Sequence, residues 1–191
     1  MSEYIMNHFK LEHLLCGLIL ISRIGDIGST YLCTPNLKLE ANPVVRKLGW
    51  KFAFLTLFLC LVPYYSTAMG VVVLVPSLLV SAQNSSKIWF IRAYGESEYQ
   101  DLIRRLAKGS KLSHALAGVI ASAIFVAIVG VVLLFLCPDQ TRDWGYWFGV
   151  GLITYAFAIA IHHSLAFIRI FRTARRDELG QSAGSVRKDN L

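Results

Sequence analysis

Charge is scarce in this chain, and catalytic signatures are scarcer still. Only 16% of its 191 residues are Asp, Glu, Lys or Arg, against about a quarter in a typical soluble domain. Hydrophobic residues supply 55% and the mean hydropathy is +0.52, which argues against an ordinary soluble protein and for the membrane class. The four cysteines (Cys16, Cys33, Cys60, Cys137) form no C-x-x-C pair, so neither a zinc ribbon nor a dithiol redox motif is encoded. Packing is their expected role. H-E-x-x-H, G-x-S-x-G and the Walker A loop are all missing, as is the aspartate-rich repeat of lipid-headgroup transferases. The glycines of "RIGDIGST" lack the strand–loop–helix setting of a nucleotide site. A two-histidine haem site would need facing helices at matched depth, and nothing around His114 or His162 favours one. No cofactor or metal is indicated, so both stay unknown.

What is present is apolar chain in long runs. A helix needs about 20 residues to cross a hydrocarbon core of roughly 30 Å. The sequence predicts an all-α integral membrane bundle of five transmembrane helices. The expected spans are 14–33, 43–64, 67–90, 112–137 and 145–168. Pro35 ends the first, Pro138-Asp139 closes the fourth, and Trp144, Tyr146 and Trp147 anchor the fifth at the interface. The largely apolar stretch of 39 residues from Phe52 to Phe90 would make a single helix about 58 Å long, too long for any ordinary tilt. A turn is therefore expected in "PYYSTAMG", residues 63–70. "KLEHLLCGLILIS" resembles the start of a signal peptide but passes straight into Arg23 and Asp26 without a small-x-small site, so it reads as a retained span.

The net charge of +7 is distributed unevenly about these spans. One side of the membrane receives Lys38, Arg46, Lys47 and Lys51, then Arg92, Arg104, Arg105, Lys108 and Lys111, then the basic stretch from Arg169. The other side receives Lys10 and Arg142. By the positive-inside rule the N-terminus lies outside and the C-terminus inside. Basic residues between spans, without interleaved exposed aromatics, make a lipid bilayer the expected partner and exclude nucleic acid. Other membrane subunits remain open as partners. Residues 96–108 place Tyr99, Leu102, Ile103 and Leu106 on one helical face, as in an amphipathic helix lying on the cytoplasmic surface. The alternative is a solvated extension of the third span. The polar stretch 177–191 is expected to be disordered.

With this orientation, the polar residues inside the spans gather at one depth. Asp26, Ser29 and Thr30 fall in the inner half of the first span, Gln83, Asn84, Ser85 and Ser86 in that of the third, and His162, His163 and Ser164 in that of the fifth. Ser113 and His114 start the fourth, and Glu40 and Asn42 lie in the cytoplasmic connection. Bundled face to face, these groups would line a vestibule open to the cytosol, with Asp26 and Glu40 in one cluster. Each also has a local reading. Asp26 can pair with Arg23 three residues back. Asn42 can cap a helix beginning at Pro43, and the serines can bond backbone carbonyls. His162 and His163 stand about 100° apart on a helix, so both can hardly face one ligand.

Asp26, Ser29 and Thr30, a ten-residue step, then Glu40, Asn42 and Pro43 together resemble the D-x-x-[ST]-T … E-x-N-P pattern of a family of small bacterial multi-pass membrane proteins of unknown function. The likeness covers the first three spans. It implies that Asp26, Thr30, Glu40 and Asn42 matter together, and it implies a bacterial inner-membrane location; it supplies no activity. The candidate ligand-binding residues are therefore Asp26, Ser29, Thr30, Glu40, Asn42, His162 and His163. Carboxylates with hydroxyls suit a cation or a polar headgroup, and histidine suits protons or metals. Two other readings stay open: a structural or accessory subunit, and a membrane-embedded enzyme using Asp26 or Glu40 as acid or base.

Overall fold

The computed structural model describes residues 2–37, 43–140 and 144–188. Among these the chain is helical throughout, with no strand. The elements are α1 (Ser2–Cys33), α2 (Pro43–Leu48), α3 (Trp50–Leu55), a 3₁₀ helix (Thr56–Leu61), α4 (Val62–Tyr65), α5 (Thr67–Ser85), α6 (Ile88–Tyr94), α7 (Glu96–Gly109), α8 (Leu112–Leu136) and α9 (Trp144–Lys188). Four stretches are long and apolar enough to cross a membrane: Leu11–Cys33, Thr67–Tyr94, Leu112–Leu136 and Trp144–Arg176. Their outer surfaces agree with this. Phe125 is 70% exposed, Phe135 81% and Phe157 67%, an apolar display that water disfavours and lipid tails match.

The stretch 43–64, expected as one full-length span, is built differently. Gly49 at φ +62 separates α2 from α3, a backbone conformation open to glycine. The continuous apolar helix is Trp50–Tyr65, shorter than the other four. Its middle is a 3₁₀ helix, begun where the Thr56 hydroxyl donates to the Ala53 carbonyl at 2.6 Å. That three-residue back-bond accords with the tighter winding.

The chain doubles back at Ser66, inside the 63–70 stretch. Ser66 is extended, and its hydroxyl caps α5 by accepting from the Met69 N–H at 3.3 Å. Gly70 then passes so close to Pro63 that a Cβ would lie 3.2 Å from the proline Cα. Cys60 packs onto the cluster formed by Leu15, Ile19, Val71, Leu74 and Val75. Pro76, which the sequence reading passes over, sits inside α5. Transmembrane helices tolerate such a proline where neighbouring groups satisfy the freed backbone.

α5 stands between α1 and α9, packing on both, while α8 packs along α9. A second apolar cluster (Ala123, Tyr155, Ala156, Ile159) joins α8 to α9. α7 differs from the expected surface helix. Its bounds agree, but Ala107 is buried against Phe171 and Ala174 of α9, and Leu106 of the expected apolar face is 58% exposed. The buried face is rotated by about one residue because α9, rather than a flat lipid surface, is what it meets. α9 is one helix of 45 residues. It passes the expected span end at 168 and runs through most of the stretch expected to be disordered. No proline follows Trp144, and each added residue gains a backbone bond.

Candidate functional site

Three helices each turn one stripe towards a common cleft of about 770 Å³. On α1 the stripe is Arg23, Asp26, Ile27, Thr30, Cys33 and Thr34. Along α5 into α6 it is Val80, Gln83, Asn84, Lys87 and Ile91. On α9 it includes Ile159, His162, His163, Ala166, Phe167 and Ile170. Steps of three and four residues keep each set on one helical face. Tyr99, Gln100, Ile103 and Arg104 of α7, and Phe52, Ala53 and Thr56 around α3, complete the wall.

The most tightly organised part is an ion cluster between α1 and α5. Asp26 Oδ2 lies 3.3 Å from Arg23 Nη1, one turn earlier on the same helix. Asp26 Oδ1 accepts from Asn84 Nδ2 at 2.7 Å. Both carboxylate oxygens are thus engaged, one along α1 and one across to α5. The side chains of Arg23 and Asp26 are only 12% and 19% exposed, so the pair is largely shielded from solvent. Gly25 permits this closeness: a Cβ there would stand 2.7 Å from Ser81 Oγ of α5. Ser29 spends its hydroxyl on the Asp26 carbonyl at 3.0 Å. Ser22 Oγ and Arg23 Nε are buried with no hydrogen-bond partner among the described residues, so Arg23 holds a donor that Asp26 does not use. Deeper in, the Tyr155 hydroxyl approaches Gln83 Oε1 at 3.5 Å, a weak bond at best.

The end of the cleft is closed by polar ties from α1 to α7. Thr34 donates to one Glu96 carboxylate oxygen, and Asn36 Nδ2 reaches the other at 3.4 Å. Gly95 at φ +81 supplies the sharp entry into α7. Burial, with a smaller contribution from nearby Cys33, holds the Tyr99 phenol above its ordinary pKa. At neutral pH it is a hydrogen-bond donor.

Asp26, Ser29, Thr30, His162 and His163 all border this one cleft. Asp26 does both things the sequence allowed: it pairs with Arg23 and it faces a cavity. His162 and His163, with ring centroids 5.8 Å apart, both reach the wall because the cleft is broad enough to meet two neighbouring faces of α9. Glu40 and Asn42 lie outside the described residues, so the expected Asp26–Glu40 cluster has no distance attached. His114 is exposed and away from the cleft. Lys87, Arg104 and Arg169 line it as well, and the sequence reading treated none of them as site residues. Lys87 was legible in principle, one helical turn beyond Asn84. Among the described residues, no three His, Cys, Asp or Glu side chains come together as metal ligands. The chain matches no family model, no curated protein and no solved structure.

Proposed function

We propose that this is an integral membrane protein whose chain crosses the bilayer five times, N-terminus outside and C-terminus inside, and whose cytoplasm-facing cleft binds a small polar or amphiphilic ligand. The observation that carries the binding reading is the cleft itself, with a shielded Arg23–Asp26–Asn84 cluster on its wall. Ionisable groups at membrane depth are costly and generally face a partner or a water-filled path. Size chooses the ligand class. A volume of about 770 Å³ falls within the range of roughly 300–1,000 Å³ typical of small-molecule sites. A bare ion needs a small fraction of it.

The fifth crossing rests on length. Trp50 contacts Tyr31 at one end of the short apolar segment, and Tyr64 contacts His13 at the other. Between those contacts α1 rises about 27 Å at 1.5 Å per residue. The partner segment has fewer residues, but six of them wind as 3₁₀ at about 2.0 Å each, giving about 24 Å. The stretched winding lets a short segment keep pace with a full helix. A reporter active only outside the cytoplasm, fused after Leu37 or after Gly109, is expected to be silent in both cases. Activity at Gly109 alone would mean four crossings.

Binding is tested by filling the cleft. Ala166→Phe directs a ring into open space, so the fold is expected to survive. Native mass spectrometry of gently solubilised protein should find a stoichiometric small molecule or lipid in the wild type and lose it in this variant. Equal retention by both would mark the bound species as annular lipid and reject the site.

A further inference from the structure

The charge of this cleft says which ligand it selects, an inference that rests on the binding reading above. Its wall presents Arg23, Lys87 and Arg104 beside Asp26, the carboxylate among its described lining residues. Both oxygens of Asp26 are already engaged by Arg23 and Asn84, so the carboxylate on this wall is committed within the protein. The cationic side is less committed. Lys87 has no carboxylate against it among the described residues. Arg104 pairs with Asp101 at 3.6 Å, where the two side chains are 39% and 64% exposed, and such surface pairs hold their partners weakly. Between these groups the wall is apolar: Ile27, Val80, Ile159 and Phe167.

Spare donors and positive charge beside apolar walls suit an anion attached to an apolar body. We infer that the cleft takes a phosphate-bearing amphiphile of net negative charge. The phosphate is held by Lys87 and Arg104, and the apolar part lies along Ile27, Val80, Ile159 and Phe167. A phosphate offers several strong acceptor oxygens, and charge-assisted bonds to them are about twice as strong as neutral ones. One carboxylate would leave more of this donor set unmatched. The same chemistry is found in an anionic phospholipid of the inner leaflet and in a soluble phosphate ester.

The test uses the full chain in nanodiscs of equal phosphatidylglycerol and phosphatidylcholine, extracted gently and analysed by native mass spectrometry. Wild-type protein is expected to retain phosphatidylglycerol about tenfold over phosphatidylcholine, a preference of the size charge-assisted contacts supply. K87Q/R104Q should bring the ratio towards parity. K87R/R104K, which keeps both charges, should preserve it, and so should R175Q/R176Q, which removes two exposed cations outside the cleft. Loss of preference in K87R/R104K, or in R175Q/R176Q to the same degree as in K87Q/R104Q, would overturn the assignment. Lipid-free protein that binds glycerol 3-phosphate with the same dependence on Lys87 and Arg104 would support the phosphate site and name the soluble source. If both lipids are retained equally yet expelled by Ala166→Phe, selection for a net-anionic phosphate fails and the binding site stands. If Ala166→Phe expels nothing, both fail.

Discussion

Truncating Asp26 to alanine should lower the unfolding free energy by about 2–4 kcal/mol, because it strands a largely buried arginine without its counter-charge. The Arg23 side chain is 12% exposed and its Nε already lacks a partner among the described residues, so little water can replace the carboxylate. Asn84 loses its acceptor in the same step. Removing both charges is a different matter. In R23M/D26L the desolvation cost disappears along with the pair, and stability should return to within about 1 kcal/mol of wild type. Denaturant unfolding in detergent of wild type, R23M, D26L and R23M/D26L, followed by far-ultraviolet circular dichroism, gives the four corners of the cycle. A coupling of about 1–3 kcal/mol between Arg23 and Asp26 is expected. Strictly additive losses would show that the two charges act independently and that the pair does not organise α1 against α5.

Placing a side chain at Gly149 should be as damaging for a steric reason. There α9 lies against α8 so closely that a Cβ would stand 2.7 Å from the Gly130 carbonyl oxygen and 3.2 Å from the Leu133 Cβ. The reciprocal is true at Gly130, where a Cβ would lie 2.8 Å from the Gly149 carbonyl. The obstruction is backbone, so no rotamer change relieves it; the helices must part. Close contact of small residues is a main source of helix affinity in lipid, where water drives nothing together. Gly149→Val should therefore cost about 2–3 kcal/mol in the same unfolding assay, the range for overpacking. Gly118→Ala on α8 is the control, since a Cβ there meets nothing within 4 Å. It should be neutral or gain a few tenths of a kcal/mol from helix propensity. Equal losses at both positions would mean that the α8–α9 contact is not where the fold is held.

Much of this architecture can be read directly from the chain. The long apolar runs require helices, since only internal hydrogen bonding satisfies a backbone out of water. The reversal near Ser66 follows from too many apolar residues for one crossing. The clustering of polar residues at one depth is also a sequence property, because depth along a helix is simply residue number. That is why Asp26, Thr30, His162 and His163 could be expected at a common level, and all four line the cleft. Arg104, which also lines the cleft, could not be placed there because periodicity describes the faces of one helix and says nothing about which face another helix covers. The same limit misplaced the apolar face of α7. Its sequence pattern centres on Leu102 and Leu106, and packing on Phe171 and Ala174 chose Ala107.

Local sequence, then, determined that this protein is helical, apolar enough for a membrane, and polar at one level of its long helices. Tertiary structure alone decided that Asp26 would meet Asn84 across 58 residues of chain, that Gly130 would face Gly149, and that Thr56–Leu61 would wind as a 3₁₀ helix beside α1. Each depends on which helices are neighbours and at what register. In a bundle that is set by the summed fit of whole surfaces, which no stretch of the chain contains by itself.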